Sequence, residues 1–558
     1  MKKIIILGAF VVVLGGAYAA LWHHNDGRLV KDAETALAKA RGIVGPDAIT
    51  YSSIQGHGFP GGPEVTVKDL KLSIPGLLEV KTDALTLKRG LISNSLTEKI
   101  PSDINFSVSP VLTHGEPMEF DFVTKDGSAE ITFKGNEFFN FLMGRLNLNP
   151  LKGEHDTVEK FRDIMLNDFE SFEAKSSSSQ IVDKKSGKNY IQSGPSQSKV
   201  TMARIDEDSH KISVSYSLKD MEFSPYLDQA LVTLADKIHA TTGADTTVLK
   251  FMHLSAYGKS SQELDMTYKG PTNFAPLATK GGTFDIDISK YESTNDMQKA
   301  SMKGKVLVKL GKNNVAEEVN VNVDGTFQAT KAFQDYFKTM YKEIARAELD
   351  RMAEGHSAPA DAQQQAQAAQ MIEHVFTMYG DRIFPDIAAL GEIKSHVDVF
   401  YKHESKSFKL DTSFVTDKFG FMVKGDGTMD KSLDLELTIK NYKEFLDALY
   451  AYSKDMLDIA NEVTQGGVKF ELKDEMKLHV IELLQKMAEP MAADAKDMVI
   501  KIHVEGNEVK VGKMNAPELF MAFMMLMPQL QQGLQGQEGP SALTEQQIEE
   551  MKRQDGIH

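Results

Sequence analysis

Cysteine is absent from all 558 residues. That absence excludes disulfides, zinc knuckles, iron–sulfur clusters and thiol catalysis, and leaves stability to packing alone. Tryptophan occurs once, at Trp22, and no long Lys/Arg run follows Lys2-Lys3. The formal charge is −16, with Asp+Glu 79 against Lys+Arg 63. An acidic surface repels phosphates, so nucleic acid is not an expected partner. Catalytic signatures are missing as well. There is no Gly-x-Ser-x-Gly elbow and no His-Glu-x-x-His pair. Gly258-Lys259-Ser260 ends like a phosphate loop, but His253 stands where that loop needs its first Gly, so it reads as a surface turn. No cofactor and no catalytic residue is expected.

Hydrophobic residues make up 41% of the chain, enough for a real core. The longest apolar run is at the start: Ile4 to Trp22, nineteen uncharged residues behind Lys2 and Lys3. That length is close to the ~20 residues that cross a bilayer as a helix, with positive charge kept on the cytoplasmic side. The same segment also has the form of a signal peptide, with Gly15-Gly16 and a small-x-small Ala17-Tyr18-Ala19. Anchor and cleaved signal both stand, and both carry residue 23 onward out of the cytoplasm.

Alternation with a period near two dominates the body. Val65, Val67, Leu70, Leu72 and Ile74 mark one strand, and Val80, Ala84, Leu85 and Leu87 another. Further strands are expected at 104–108, 120–123, 129–133, 200–205, 211–218, 284–288, 305–310, 315–323, 392–401, 407–414 and 419–423. Three of the strands run into amphipathic helices, at 224–239, 330–352 and 442–463. Their starts lie about 110 residues apart, a spacing that suggests repeated strand-plus-helix units. A hairpin is expected over 498–513 with Gly506-Asn507 at its turn. The expected fold is α+β: an N-terminal transmembrane helix, then an extended, mostly antiparallel β-sheet body with interspersed amphipathic helices. The expected segments are 1–22 (anchor or signal), 23–174 (β-rich), 175–354 (strand and helix), 355–530 (α+β) and 531–558 (polar tail). The Ser/Lys-rich stretch 175–198 and the Ala/Gln-rich stretch 355–370 read as linkers.

Candidate contact residues are apolar. Phe59, in the turn Gly58-Phe59-Pro60-Gly61, reads either as a plug at the end of the first sheet or as an aromatic tip touching lipid or a partner. Met521, Met524 and Met525 lie in the apolar stretch 517–530, which reads as core or as a groove-lining helix, because methionine adapts to varied apolar surfaces. His23-His24, Asp206-Glu207-Asp208 and Asp285, Asp287 and Asp296 lack metal-ligand spacing and read as solvated charge, so no metal is expected.

The pattern Tyr51 … Gly58-Phe59-Pro60-Gly61 … Val65-x-Val67 … Leu70-x-Leu72 behind an apolar leader resembles the start of AsmA-like bacterial envelope proteins. The wider plan, with a long strand-rich body, interspersed helices and a late hairpin before a Leu/Met helix, resembles the YdgA-like family. The resemblance is tightest over residues 1–90. It implies a non-catalytic protein tethered to the bacterial inner membrane, with its body in the periplasm. The expected partners are that membrane, lipid and envelope proteins. Handling of lipid or another hydrophobic ligand is the first expected role, and an envelope scaffold or protein-interaction module is the second. An enzyme is the third and least supported, since a sequence cannot show convergent titratable groups.

Overall fold

The computed structural model describes residues 47–57, 64–74, 78–89, 95–108, 117–135, 166–242, 253–272, 277–354, 387–463, 474–489, 495–506 and 508–522, plus isolated positions between them. The expected anchor at 1–22, the linker 355–370 and the tail 531–558 lie outside the described residues. Among the described residues no helix is long and apolar enough to cross a membrane. The fold is α+β and mostly antiparallel, and it divides into two compact units, Met1–Ala316 and Glu317–His558.

Unit 1 is a meander. Its strands are β1 (Ile49–Thr50), β2 (Ser53–His57), β3 (Glu64–Ile74), β4 (Leu78–Arg89), β5 (Ser95–Lys99), β6 (Asp103–Val108), β7 (Met118–Lys125) and β8 (Ser128–Phe133). The series continues with β9 (Phe169–Ser176), β10 (Ser178–Asp183), β11 (Asn189–Ser193), β12 (Ser196–Arg204), β13 (Ser209–Phe223), β14 (Ser260–Pro271), β15 (Gly282–Thr294) and β16 (Gln298–Leu310). Several short strands are two halves of one row. β3 pairs with β2 at one end and β1 at the other, β4 pairs with β5 and β6, and β13 pairs with β12 and β11. Each row lies antiparallel to the next in chain order.

The breaks between half-rows have a common chemistry. Asp69, Asp126 and Asp220 have φ of 49°, 53° and 52°, and each follows a lysine: Lys68, Lys125, Lys219. Aspartate tolerates this left-handed region better than most residues. Neighbouring rows are stitched on there by Ser52 N to Lys68 O (3.1 Å), Ser177 N to Lys125 O (3.0 Å) and Gly194 N to Lys219 O (2.9 Å). Ser177 Oγ donates to Asp126 Oδ2 at 2.8 Å, and Ser52 Oγ donates to the Asp69 carboxylate in the same way. The extra residue shifts the alternation by one, so Val67 and Leu70 both point inward and are buried, at 1% and 2% exposure.

The stretch 175–198, expected as a linker, is sheet: the end of β9, all of β10 and β11, and the start of β12. Its serines weaken the apolar signal. The rows on either side still fix it by backbone hydrogen bonds, and Ser176 Oγ meets Ser196 Oγ at 2.9 Å. Strand β14 is also present, although the alternation reading passes over it.

Unit 2 repeats the meander with β17 (Ala316–Ala329), β18 (Ile393–Lys402), β19 (Ser407–Val415), β20 (Gly420–Thr428), β21 (Ser432–Lys440), β22 (Met498–Glu505), β23 (Glu508–Val511) and β24 (Met514–Asn515). The hairpin expected over 498–513 is β22 paired with β23, with Gly506 at φ 58°.

The expected strand-to-helix steps are all present. α1 (Pro225–Thr242) follows β13 after Ser224. The four-residue α2 (Leu277–Lys280) precedes β15. α3 (Lys331–Glu354) follows β17 after Thr330, and α4 (Tyr442–Val463) follows β21 after Asn441. α5 (Asp474–Met487) comes next. Ser, Thr and Asn are the residues that best precede a first helical turn, and Thr330 Oγ1 accepts from Phe333 N at 3.4 Å. α4 and α5 cover one end of the second sheet, burying Ile439, Tyr442, Leu446, Met498 and Ile500, with the Phe421 and Phe445 rings 4.7 Å apart. The re-entry into the sheet is built twice in the same way. Gly258 and Gly391 have φ of 61° and 72°, and a Cβ would lie 1.9 Å from Asp296 Oδ2 in one and 2.0 Å from Asp417 Oδ2 in the other.

The left-handed aspartates give a test. Asp126→Val forces a β-branched residue to positive φ, and the expected loss is about 1–2 kcal/mol or more in urea denaturation. Asp126→Asn should stay within ~0.5 kcal/mol of the parent.

Candidate functional site

The register of unit 1 joins its inward side chains into one apolar face. It runs from Ile54 through Val67, Leu85 and Leu87 to Ile131, Phe172 and Val200. It continues across Met202 and Ile212, Val214 and Met266, and Tyr216 and Leu264, then to Ile286, Ile288 and Tyr291, and finally to Val306 and Met302. The two ends differ in covering. Val65, Val67, Leu85 and Leu87 are at most 3% exposed. From β9 to β16 the side chains named above are half-buried and none of them is fully buried. Complete burial of such a side chain stabilises by ~1.5–3 kcal/mol, and here part of that is not realised. An incompletely covered apolar surface of this kind marks a binding surface more often than an idle one.

The opposite face of the same strands is wet and charged. Lys219 and Lys290 both grip Glu263, Lys269 reaches Asp285 at 3.3 Å, and Lys305 reaches Asp287 at 3.1 Å. The two ammonium groups hold the Glu263 carboxyl down at about 2. These exposed pairs add little stability individually, but they fix which side of the sheet meets water. They also account for two of the aspartates noted in the sequence. Asp208 pairs with Lys280 at 3.1 Å, and Asp206 closes its own turn by accepting from Asp208 N at 2.9 Å. Among the described residues no three His, Asp or Glu side chains converge as a metal site.

One carboxylate breaks the apolar face. Glu98 on β5 is opposite Leu87 on one side and Ala129 on the other. It is half-buried and has no hydrogen-bond or ion-pair partner among the described residues. Desolvation pushes its carboxyl above the ordinary 4.5. Two tyrosines further along, Tyr216 and Tyr268, have phenols raised by the same desolvation. Glu98 was not among the residues expected from the sequence, although Leu96-x-Glu98 places a charge at the two-residue spacing of a strand face.

Two clefts open beside the sheet. One, of about 660 Å³, lies between α1 and the ends of β7, β10 and β11, with Met118, Tyr190 and Leu234 below and Lys184 and Lys237 at its rim. Burial, then the adjacent Asp183 carboxylate, raises the Tyr190 phenol. The other, of about 650 Å³, lies where the 205–209 turn meets 280–283.

The contact residues expected from sequence are not brought together. Phe59 and Met525 lie outside the described residues. Met521 and Met524 are 55% and 56% exposed and Phe520 is 65% exposed, so these side chains are not core. The helical turns carrying them start from a reciprocal cap, in which Glu518 N donates to Asn515 Oδ1 and Asn515 N to Glu518 Oε2, each at 2.9 Å. No family model and no curated protein matches the chain.

The difference in covering is measurable. Leu87→Ala should cost about 2–5 kcal/mol, and Met266→Ala on the open face less than about 1.5 kcal/mol, in urea denaturation. Glu98 adds a pH test. A carboxyl raised by folding binds more protons in the native state than in the unfolded one, so stability falls as pH rises from 4.5 through the native value. Glu98→Gln should therefore exceed the parent in stability at pH 7.5, with the gap closing toward pH 4.

Proposed function

We propose that this protein is a non-catalytic, inner-membrane-tethered periplasmic protein of the bacterial envelope that holds lipid or another hydrophobic ligand against the apolar face of its first sheet. The observation that carries the reading is the half-buried apolar surface from β9 to β16, backed by a polar side that carries lysine–carboxylate pairs. A ligand needs concavity, apolar lining and a few polar groups. An added residue in a strand bends it locally, the alternation supplies the lining, and Glu98, Tyr216 and Tyr268 are the polar groups. The apolar leader at 4–22 and the likeness of residues 1–90 to AsmA-like proteins support the location, and the strand-rich body with interspersed helices fits the YdgA-like plan.

The test is binding of a neutral fluorophore, N-phenyl-1-naphthylamine, to the purified full-length chain. Saturable binding with a blue-shifted emission is expected, and Met266→Asp should weaken it at least tenfold by placing a charge in the face. No saturable binding would overturn the reading. For the location, alkaline phosphatase fused behind Gln55 should be active in cells, and activity confined to a cytosolic reporter at that site would overturn it.

One observation favours the alternative of an envelope scaffold: the exposed Phe520, Met521 and Met524. A photocrosslinker at Met521 that captures one defined envelope protein, with no lipid in native mass spectra, would decide for the scaffold.

A further inference from the structure

The inward positions of unit 1 are mostly aliphatic and aromatic, with Ser198, Gln262, Arg204 and His210 among the polar ones, and the carboxylate Glu98 has a defined place among them. Glu98 sits where covering changes. On its β4 side Leu87 is 1% exposed, and on its β8 side Ala129 begins the half-buried stretch. The lysines of this sheet stand on the other side. Lys199, Lys219, Lys269, Lys290 and Lys305 are paired with carboxylates of the wet face. These wet-face carboxylates are neutralised by lysine, whereas Glu98 on the apolar face has no partner among the described residues.

An unpaired carboxyl in apolar surroundings is unfavourable, and an opposite charge brought by a ligand relieves that cost. A carboxylate accepts hydrogen bonds only, and an ammonium donates three. Alcohol heads offer one weaker donor, and carboxylate heads repel. From Glu98 the face extends across β8, β9, β12, β13, β14, β15 and β16, roughly 30 Å at ~4.8 Å per strand spacing, long enough for an extended hydrocarbon chain.

Resting on the lipid-cradle reading, we infer that Glu98 is the head-group anchor of that face and selects amphiphiles bearing a primary ammonium, whose hydrocarbon tail lies along the apolar residues of β9 to β16. The preference comes from pairing one charge in a partly dry site, so it is a property of Glu98 and not of the chain's overall acidity.

The experiment displaces N-phenyl-1-naphthylamine from the full-length chain at pH 7.5 with dodecylamine, dodecanol and dodecanoate, each below its micellar concentration. Dodecylamine should bind at least tenfold more tightly than dodecanol, with dodecanoate weakest. Glu98→Gln keeps the shape and changes the net charge by one. It should bring dodecylamine down to the dodecanol level, and a urea midpoint at pH 7.5 no lower than the parent's shows that the variant is folded. Equal affinity for the three probes in the parent, or an amine preference surviving in Glu98→Gln, overturns the anchor and leaves the cradle standing. No displacement by any probe, with no fluorophore binding, overturns the cradle and this inference with it.

Discussion

The first unit depends on keeping one face of a bent sheet apolar through every row. A strand that continues straight keeps its alternation without help. A strand that bends at an added residue inverts it, unless the bend itself takes up the extra position. Lys68-Asp69, Lys125-Asp126 and Lys219-Asp220 do this with a left-handed aspartate, and serine or glycine in the adjoining row closes the hydrogen bonds. Without that device Val67 and Leu70 would lie on opposite faces, and the apolar surface would end at the bend.

From this follows the contrast between the two ends of the face. Around β2 to β4 the inward side chains are closed over, and there the sheet gains its full hydrophobic stabilisation. From β9 to β16 the same chemistry is left half-covered, and the charged ladder on the reverse side keeps the sheet from burying itself the other way around. Unit 2 uses the first solution at one end of its strands, where α4 and α5 lie over Ile439, Met498 and Ile500 and make a packed core. One strand grammar therefore gives a filled interior in one place and an open surface in another, depending on whether a helix is laid across it.

Glu98 acquires its meaning from that setting. The same carboxyl on the wet face would be one more member of an ion-pair ladder, as Glu263 is between Lys219 and Lys290. Moved to the apolar side, it loses both water and lysine, and its environment favours the protonated form or an incoming cation. The exposed Met521 and Met524 teach the reverse. Methionines in an apolar stretch read as core or groove, and their surroundings leave them in solvent.

The α+β class, most strand positions, the three strand-to-helix steps and the apolar side of most strands can be read from the residues alone. These are consequences of local periodicity and of which residues can cap a helix. Even the bends are written locally, as Val65-x-Val67-x-x-Leu70-x-Leu72. The serine-rich strands β10 and β11 were hidden, because their stability comes from backbone bonds to rows on both sides and not from their own side chains. How far each part of the apolar face is covered, and that Glu98 faces it with no partner among the described residues, came from long-range packing. Covering depends on which distant element the chain brings over a strand, and no period within the strand encodes that.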